Sequence, residues 1–126
     1  AERIDHGGNI VQSPELVALA RSRNIPFTVC PTFSGKVMEN GQPINALREM
    51  LDAGLKVSVN SDDPAYMGSE YITEVLIRAQ KDSALTPAEL VQFERFAFET
   101  AWIPEEQRDG YLAKLEAYAQ SWGVAA

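Results

Sequence analysis

Leu55-Lys56-Val57-Ser58-Val59-Asn60-Ser61-Asp62-Asp63-Pro64 is the stretch on which the reading of this chain turns. Leu55, Val57 and Val59 make a short apolar run rich in β-branched residues, suited to a strand inside a sheet. The run stops sharply at Ser61-Asp62-Asp63-Pro64, because adjacent carboxylates repel one another and proline cannot donate to a ladder. Upstream, Ile44, Leu47 and Leu51 recur at helical spacing, with Gly54 where a C-terminal cap is expected. Ile25-Pro26-Phe27-Thr28-Val29-Cys30 is a second short apolar run, closed by Pro31. Glu2–Asp5 begins a third, broken by His6-Gly7-Gly8-Asn9. Between those two runs, Ser13-Pro14 supplies an N-cap and a first-turn proline. Leu16, Val17, Leu19 and Ala20 follow on one helical face that ends near Asn24. Thr32–Pro43 reads as a loop, punctuated by Gly35, Asn40, Gly41 and Pro43.

The three runs end near residues 6, 30 and 60. A strand–helix–strand repeat of about 25–30 residues is the period of parallel βαβ units. Such crossovers are right-handed and bring the C-terminal ends of all strands to one side. Both α/β barrels and doubly wound sheets place their chemistry there. Beyond the third run the pattern is helical. Ile72, Val75, Leu76 and Ala79 share a face, and Thr86-Pro87-Ala88-Glu89 is a capping box. That box opens a helix with Leu90, Phe93 and Ala97 inward. A last helix from near Pro104 carries Leu112, Leu115, Ala119 and Trp122 at helical spacing, with Gly110 weakening its first turns.

Composition narrows the function classes. The chain has 126 residues, 11 Lys+Arg against 18 Asp+Glu, a net charge of −7, one Cys and one His. One compact domain, residues 1–126, is the expectation for this length. Scattered basic residues, with Arg21 and Arg23 on one solvated helix turn, argue against a nucleic-acid surface. There is no apolar run long enough for a bilayer and no signal-peptide pattern, so no membrane partner is expected. A single Cys excludes an internal disulfide and favours a reducing, cytoplasmic compartment. The start at Ala1, without Met and directly in a strand, points to a processed product or a fragment. Gly7-Gly8 does not meet the dinucleotide fingerprint, no G-x-S-x-G elbow is present, and no Cys pair offers a zinc knuckle. Phe93, Phe96 and Phe98 read as helix packing rather than a base-stacking platform.

The strand ends hold the candidates. His6 is open to two readings, a turn residue or a proton carrier or ligand with glycines that allow close backbone approach. Cys30 has no basic neighbour and reads as an inert hydrophobe rather than a nucleophile. Asp62-Asp63-Pro64 is good turn chemistry. At the end of an interior strand, however, two carboxylates in a shielded cleft need a cation or a hydrogen-bonding ligand. Asp62 and His6 lie on one rim, placed to meet at one metal or one water.

Arg3-Ile4-Asp5-His6-Gly7, Val29-Cys30-Pro31 and Val57-Ser58-Val59-Asn60-Ser61-Asp62-Asp63-Pro64 together resemble three successive strand-end motifs of the adenosine/adenine deaminases. These are metal-dependent hydrolases of the amidohydrolase superfamily. The resemblance runs from about Glu2 to the final helix. It implies an α/β fold: the C-terminal part of a (β/α)8 TIM-type barrel, about strands 6–8 plus the closing helices. It also implies a zinc cofactor, with Asp62 as metal ligand, Asp63 as the substrate-binding carboxylate at purine N7, and His6 as the catalytic group that orients the attacking water. The implied activity is hydrolytic deamination of adenine, adenosine or a related aminopurine. Ala65-Tyr66-Met67-Gly68 is closer to the microbial adenine-deaminase branch. Thr32-Phe33-Ser34-Gly35-Lys36 departs from the Ser-Asn pair that usually follows Cys-Pro there.

The family's His-x-His pair, its further zinc-binding His and its general-acid Glu are not in this chain. The parent enzyme is therefore expected to draw them from a missing N-terminal barrel half, and the isolated chain to be inactive. Two alternatives stand beside this reading. One is a non-catalytic α/β fragment or assembly module, whose open sheet edges and apolar inner face lead to self-association. The other is an amidohydrolase acting on a different amino-heterocycle.

Overall fold

The computed structural model describes residues 1–31, 46–68 and 70–124. The expected loop Thr32–Pro43 and the helical position Ile44 lie outside the described residues. Three parallel strands, β1 (Ile4–Asp5), β2 (Pro26–Val29) and β3 (Lys56–Val59), form one sheet in the order β1-β2-β3. The register aligns Ile4 with Phe27 and Phe27 with Val57, then Asp5 with Thr28 and Thr28 with Ser58. The helices are α1 (Pro14–Ser22), α2 (Ala46–Asp52), α3 (Pro64–Met67), α4 (Ile72–Asp82), α5 (Pro87–Thr100) and α6 (Glu105–Ser121). A 3-10 turn over Gly8–Gln12, which the sequence pattern did not reveal, leads into α1. Ser13 caps α1 as expected, its Oγ accepting from the Leu16 N–H at 3.4 Å, with Pro14 in the first turn.

Alternation along the strands sorts the two faces of the sheet. Phe27, Val29, Val57 and Val59 point to one side, where they join Met50, Val75 and Phe93 in the buried core, with Ile4 packed at its margin. The residues between them must point the other way. Asp5, Thr28 and Ser58 therefore make a polar row on the opposite face, where the Thr28 hydroxyl donates to Asp5 Oδ1 at 2.9 Å and Ser58 is buried. Asn60 continues the row, its Nδ2 donating to Ser58 Oγ at 3.1 Å. An apolar inner face was expected; the structure shows a polar one, because the helices have taken the apolar side.

The capping box forms in full. Thr86 Oγ1 accepts from the Glu89 N–H at 3.2 Å, and Glu89 Oε2 accepts from the Thr86 N–H at 2.8 Å. The same carboxylate receives Arg48 Nη1 and Nη2 at 2.8 and 3.0 Å, and Arg48 Nε donates to the Ser83 carbonyl at 3.0 Å. One arginine thus ties α2 to the α4–α5 corner. Phe93 is fully buried, as the helical pattern requires, and α5 covers β3. α6 packs on α5 through the stacked rings of Phe98 and Tyr111, 5.2 Å apart, and an Arg95–Glu116 ion pair. Trp122 departs from the expected inward stripe and is 71 % exposed, while Ala119 on the same helix is buried. Among the described residues, no helix is long and apolar enough to cross a membrane.

Arg48, and next the Thr86 backbone N–H, hold the Glu89 carboxyl down from its ordinary 4.5 to about 2. A carboxylate depressed in the folded state stabilises above its unfolded pKa and loses that contribution as pH falls through the folded one. Glu89→Gln should lower stability by about 1 kcal/mol at neutral pH, the scale of a partly exposed ion pair. The deficit should hold above about pH 4.5 and shrink towards pH 2. Urea unfolding midpoints of both proteins across that range measure it.

Candidate metal and proton-transfer site at the strand ends

The C-terminal ends of the three strands converge as the parallel pattern requires. At the end of β1 the His6 N–H donates to the Thr28 carbonyl at 2.7 Å, and the chain then turns through left-handed backbone at His6 (φ 64°) and Gly7 (φ 74°). Gly7 answers a steric demand. A Cβ there would lie 2.8 Å from Phe27 Cδ1 and 2.9 Å from Ile4 Cγ2. At the end of β3 the Asn60 N–H donates to the Val29 carbonyl at 2.8 Å, and Asn60 Nδ2 reaches the Ser58 carbonyl at 3.1 Å. Asp62 follows, also left-handed at φ 59°. Strained backbone at non-glycine residues tends to collect at functional sites, held there by the surrounding structure.

These turns bring the side chains together. His6 Nε2 stands 3.9 Å from Asp62 Oδ2. One donor atom each from His6, Cys30 and Asp62 lies within 4.8 Å of the others. That set offers one nitrogen, one sulfur and one oxygen, a combination that suits zinc. The His6 and Asp62 side chains are 57 % and 35 % exposed, and Asp63 is exposed as well. The expected shielding is thus absent among the described residues, since they wall the site on one side.

Asp63 stands outside this group of donors. Its Oδ1 accepts from the Tyr66 N–H at 3.2 Å and caps α3, a short helix absent from the sequence reading. Cys30 is the residue that sequence reasoning set aside and the structure brings in. Burial, and then the negative charges of Asp62 and Asp5, push its thiol up to about 11, so it is protonated at neutral pH. This agrees with its rejection as a nucleophile. Its position at the end of β2, between the strands that carry His6 and Asp62, was the signal that it would share their rim. Asp5 lies behind the rim. Hydrogen bonds from Arg3, at 2.9 Å, and from Thr28 hold its carboxyl below the usual range.

A parallel α/β sheet whose C-terminal strand ends bring together side chains able to hold a metal has the layout in which α/β folds place their functional sites. The chain belongs to the adenosine deaminase family, which residues 1–118 match. It is 55 % identical over 121 residues to an uncharacterized deaminase of Schizosaccharomyces pombe, covering 96 % of this chain and 35 % of that protein. It is 37 % identical over 122 residues to an adenine deaminase of Hahella chejuensis, covering 95 % and 36 %. Its fold is similar to the crystal structure of an adenine deaminase from Arthrobacter aurescens, with a TM-score of 0.81 and 27 % identity over 95 % of this chain and 37 % of that one. It is equally similar, at a TM-score of 0.81 and 28 % identity, to an amidohydrolase from Burkholderia ambifaria with bound Zn, covering 96 % and 34 %. The chain therefore spans about a third of the length of the relatives it matches.

Gly7→Ala should destabilise the protein by about 1–3 kcal/mol, from left-handed backbone and the contact with Phe27. It should also displace His6. Thermal unfolding reports the first effect, and the chemical shifts of the His6 imidazole resonances report the second.

Proposed function

We propose that this chain is the segment of a zinc-dependent purine deaminase that carries barrel strands 6, 7 and 8 and the closing helices. The observation that carries the reading is the approach of His6 to Asp62 across three parallel strands, 3.9 Å between Nε2 and Oδ2, in a chain of the adenosine deaminase family. Asp62 is the metal ligand supplied by this segment. The remaining ligands and the general acid come from other barrel strands, a reading supported by relatives of which this chain covers about a third. A bound zinc ion would supply Lewis acidity and lower the pKa of water at the site.

The chain's own residues do the rest. His6 orients the attacking water and accepts its proton at Nε2, held in place by the hydrogen bond from its backbone to Thr28. Asp63 accepts the Tyr66 N–H at Oδ1 and keeps its other oxygen to accept from the N7–H tautomer of the free purine base. Water adds to the ring carbon that bears the exocyclic amine, the C–N bond breaks, and ammonia leaves. Adenine is the favoured substrate, because named relatives are adenine deaminases. The departure at Thr32-Phe33-Ser34, directly after Cys30-Pro31, supports testing other amino-heterocycles beside it. The rest of the barrel is the partner that the open sheet edges call for, with self-association as its substitute in the isolated chain. The site of action is cytoplasmic, and neither nucleic acid nor membrane is a partner.

In a full-length family member carrying this segment, His6→Ala should lower kcat for adenine by about 10²–10⁴-fold, the usual contribution of a general base. Asp63→Asn should cost about 10–100-fold in kcat/KM, the value of one hydrogen bond to a charged group. Asp62→Asn should lose zinc by elemental analysis. The 126-residue chain with added zinc should form no measurable hypoxanthine. Turnover by that chain at the rate of a complete enzyme would sink the reading.

A further inference from the structure

The geometry points to a second use of the same strand ends: Cys30, His6 and Asp62 together form a sulfur-containing site that captures a thiophilic divalent cation such as Cd²⁺ or excess Zn²⁺. The regulatory consequence rests on the proposed function. A cation held there competes with the catalytic zinc for Asp62, withdraws His6 Nε2 from the attacking water and inhibits the deaminase. The binding claim stands on the geometry alone.

Three donors of different hardness arrive from three consecutive strand ends, all within 4.8 Å of one another. Around a tetrahedral zinc, with bonds of about 2.0–2.3 Å, neighbouring donors sit about 3.4–3.6 Å apart. The His6–Asp62 separation of 3.9 Å is therefore only a few tenths of an ångström too wide. The set as a whole is wider, up to 4.8 Å, so closing it draws the donors in by about 1 Å. Two of the three positions are set by the backbone, His6 through its hydrogen bond to the Thr28 carbonyl and both His6 and Asp62 through left-handed turns. Cys30 is the chain's one cysteine, so no disulfide within the chain competes for its sulfur. Asp5 adds a second negative charge close enough to act on that sulfur. This field opposes a bare thiolate and favours a dication.

Sulfur decides which cations the site prefers. Thiolate selects zinc and cadmium, whereas magnesium and calcium take oxygen donors. Capture releases one proton: the S–H bond of Cys30 breaks, a sulfur–metal bond forms, and the proton passes to solvent. His6 binds through the lone pair of its neutral ring and Asp62 through its carboxylate.

Titration of the 126-residue chain with Co²⁺ and Cd²⁺, under a non-thiol reductant, tests the site directly. A sulfur-to-metal charge-transfer band should appear in the ultraviolet with each cation, and none with Mg²⁺. Cys30→Ser should abolish the band and weaken Cd²⁺ binding at least ~10-fold, the minimum expected for disturbing a metal's surroundings. His6→Ala should weaken binding while keeping the band. Circular dichroism of each variant, with Cys30→Ala as a second replacement, separates lost ligation from lost folding. In a full-length family member, Cys30→Ser should raise the Cd²⁺ concentration for half-inhibition at least ~10-fold. Equal Cd²⁺ affinity in wild type and a folded Cys30→Ser chain, or absence of the band at saturation, overturns the proposal and leaves the assignment of Asp62 intact. A band lost with Cys30 in a full-length protein that releases no ammonia from any aminopurine would instead overturn the deaminase reading alone.

Discussion

β2 is hydrogen-bonded on both sides, and the site depends on that. Its Thr28 carbonyl receives the His6 N–H at 2.7 Å, and its Val29 carbonyl receives the Asn60 N–H at 2.8 Å. Two backbone bonds, one residue apart on a single strand, thereby fix where β1 and β3 release their chains. Each released chain then turns through left-handed backbone, and the two turns aim His6 and Asp62 at one another. A one-residue slip of either flanking strand would reverse which side chains face the core and separate the pair.

The same register divides the labour between the two faces of the sheet. Phe27 and Val57 lie side by side against the helices, in contact with the layer that holds Met50 and Phe93, and supply the burial that stabilises the segment. Thr28 and Ser58, one position along, are left to the opposite face, where they hydrogen-bond Asp5 and Asn60. The polar row lies directly beneath the strand-end donors. Gly7 joins the two arrangements. It packs against the ring of Phe27 with no room for a Cβ, and it starts the turn that presents His6. Core packing and site geometry are therefore coupled at one residue. Farther from the site, Arg48 bridges Glu89 and the Ser83 carbonyl, locking the last helices against α2.

Much of this was legible before any coordinates. Ser13-Pro14 and Thr86-Pro87-Ala88-Glu89 are local signals that act through hydrogen bonds three residues apart, and both formed as read. The strand runs near residues 26–29 and 56–59 followed from β-branched residues bounded by breakers. The meeting of His6 and Asp62 followed from the rule that parallel crossovers bring strand ends to one side. Cys30 was discounted because chemical reactivity was asked of it, whereas its position in the ring of donors depends on strand order. The polarity of the opposite face was misjudged for a related reason: alternation shows that two faces differ, but not which one will carry the apolar core. Trp122 kept its helical spacing and lost its burial: it falls just past the last residue of α6, as the cap, and stands in solvent.

The sequence by itself determined the local elements, the parallel order implied by their repeat, and the residue types available at each strand end. These depend on propensity, capping and spacing, interactions that span a few residues. Tertiary structure decided which donors share one site, that Asp63 caps α3 instead of joining them, and that Asp62 stands partly in solvent. Those outcomes depend on register between strands some thirty residues apart and on backbone turns forced by contacts such as Gly7 against Phe27. A distance of 3.9 Å between two side chains 56 positions apart is a property of the packed sheet, and no local pattern encodes it.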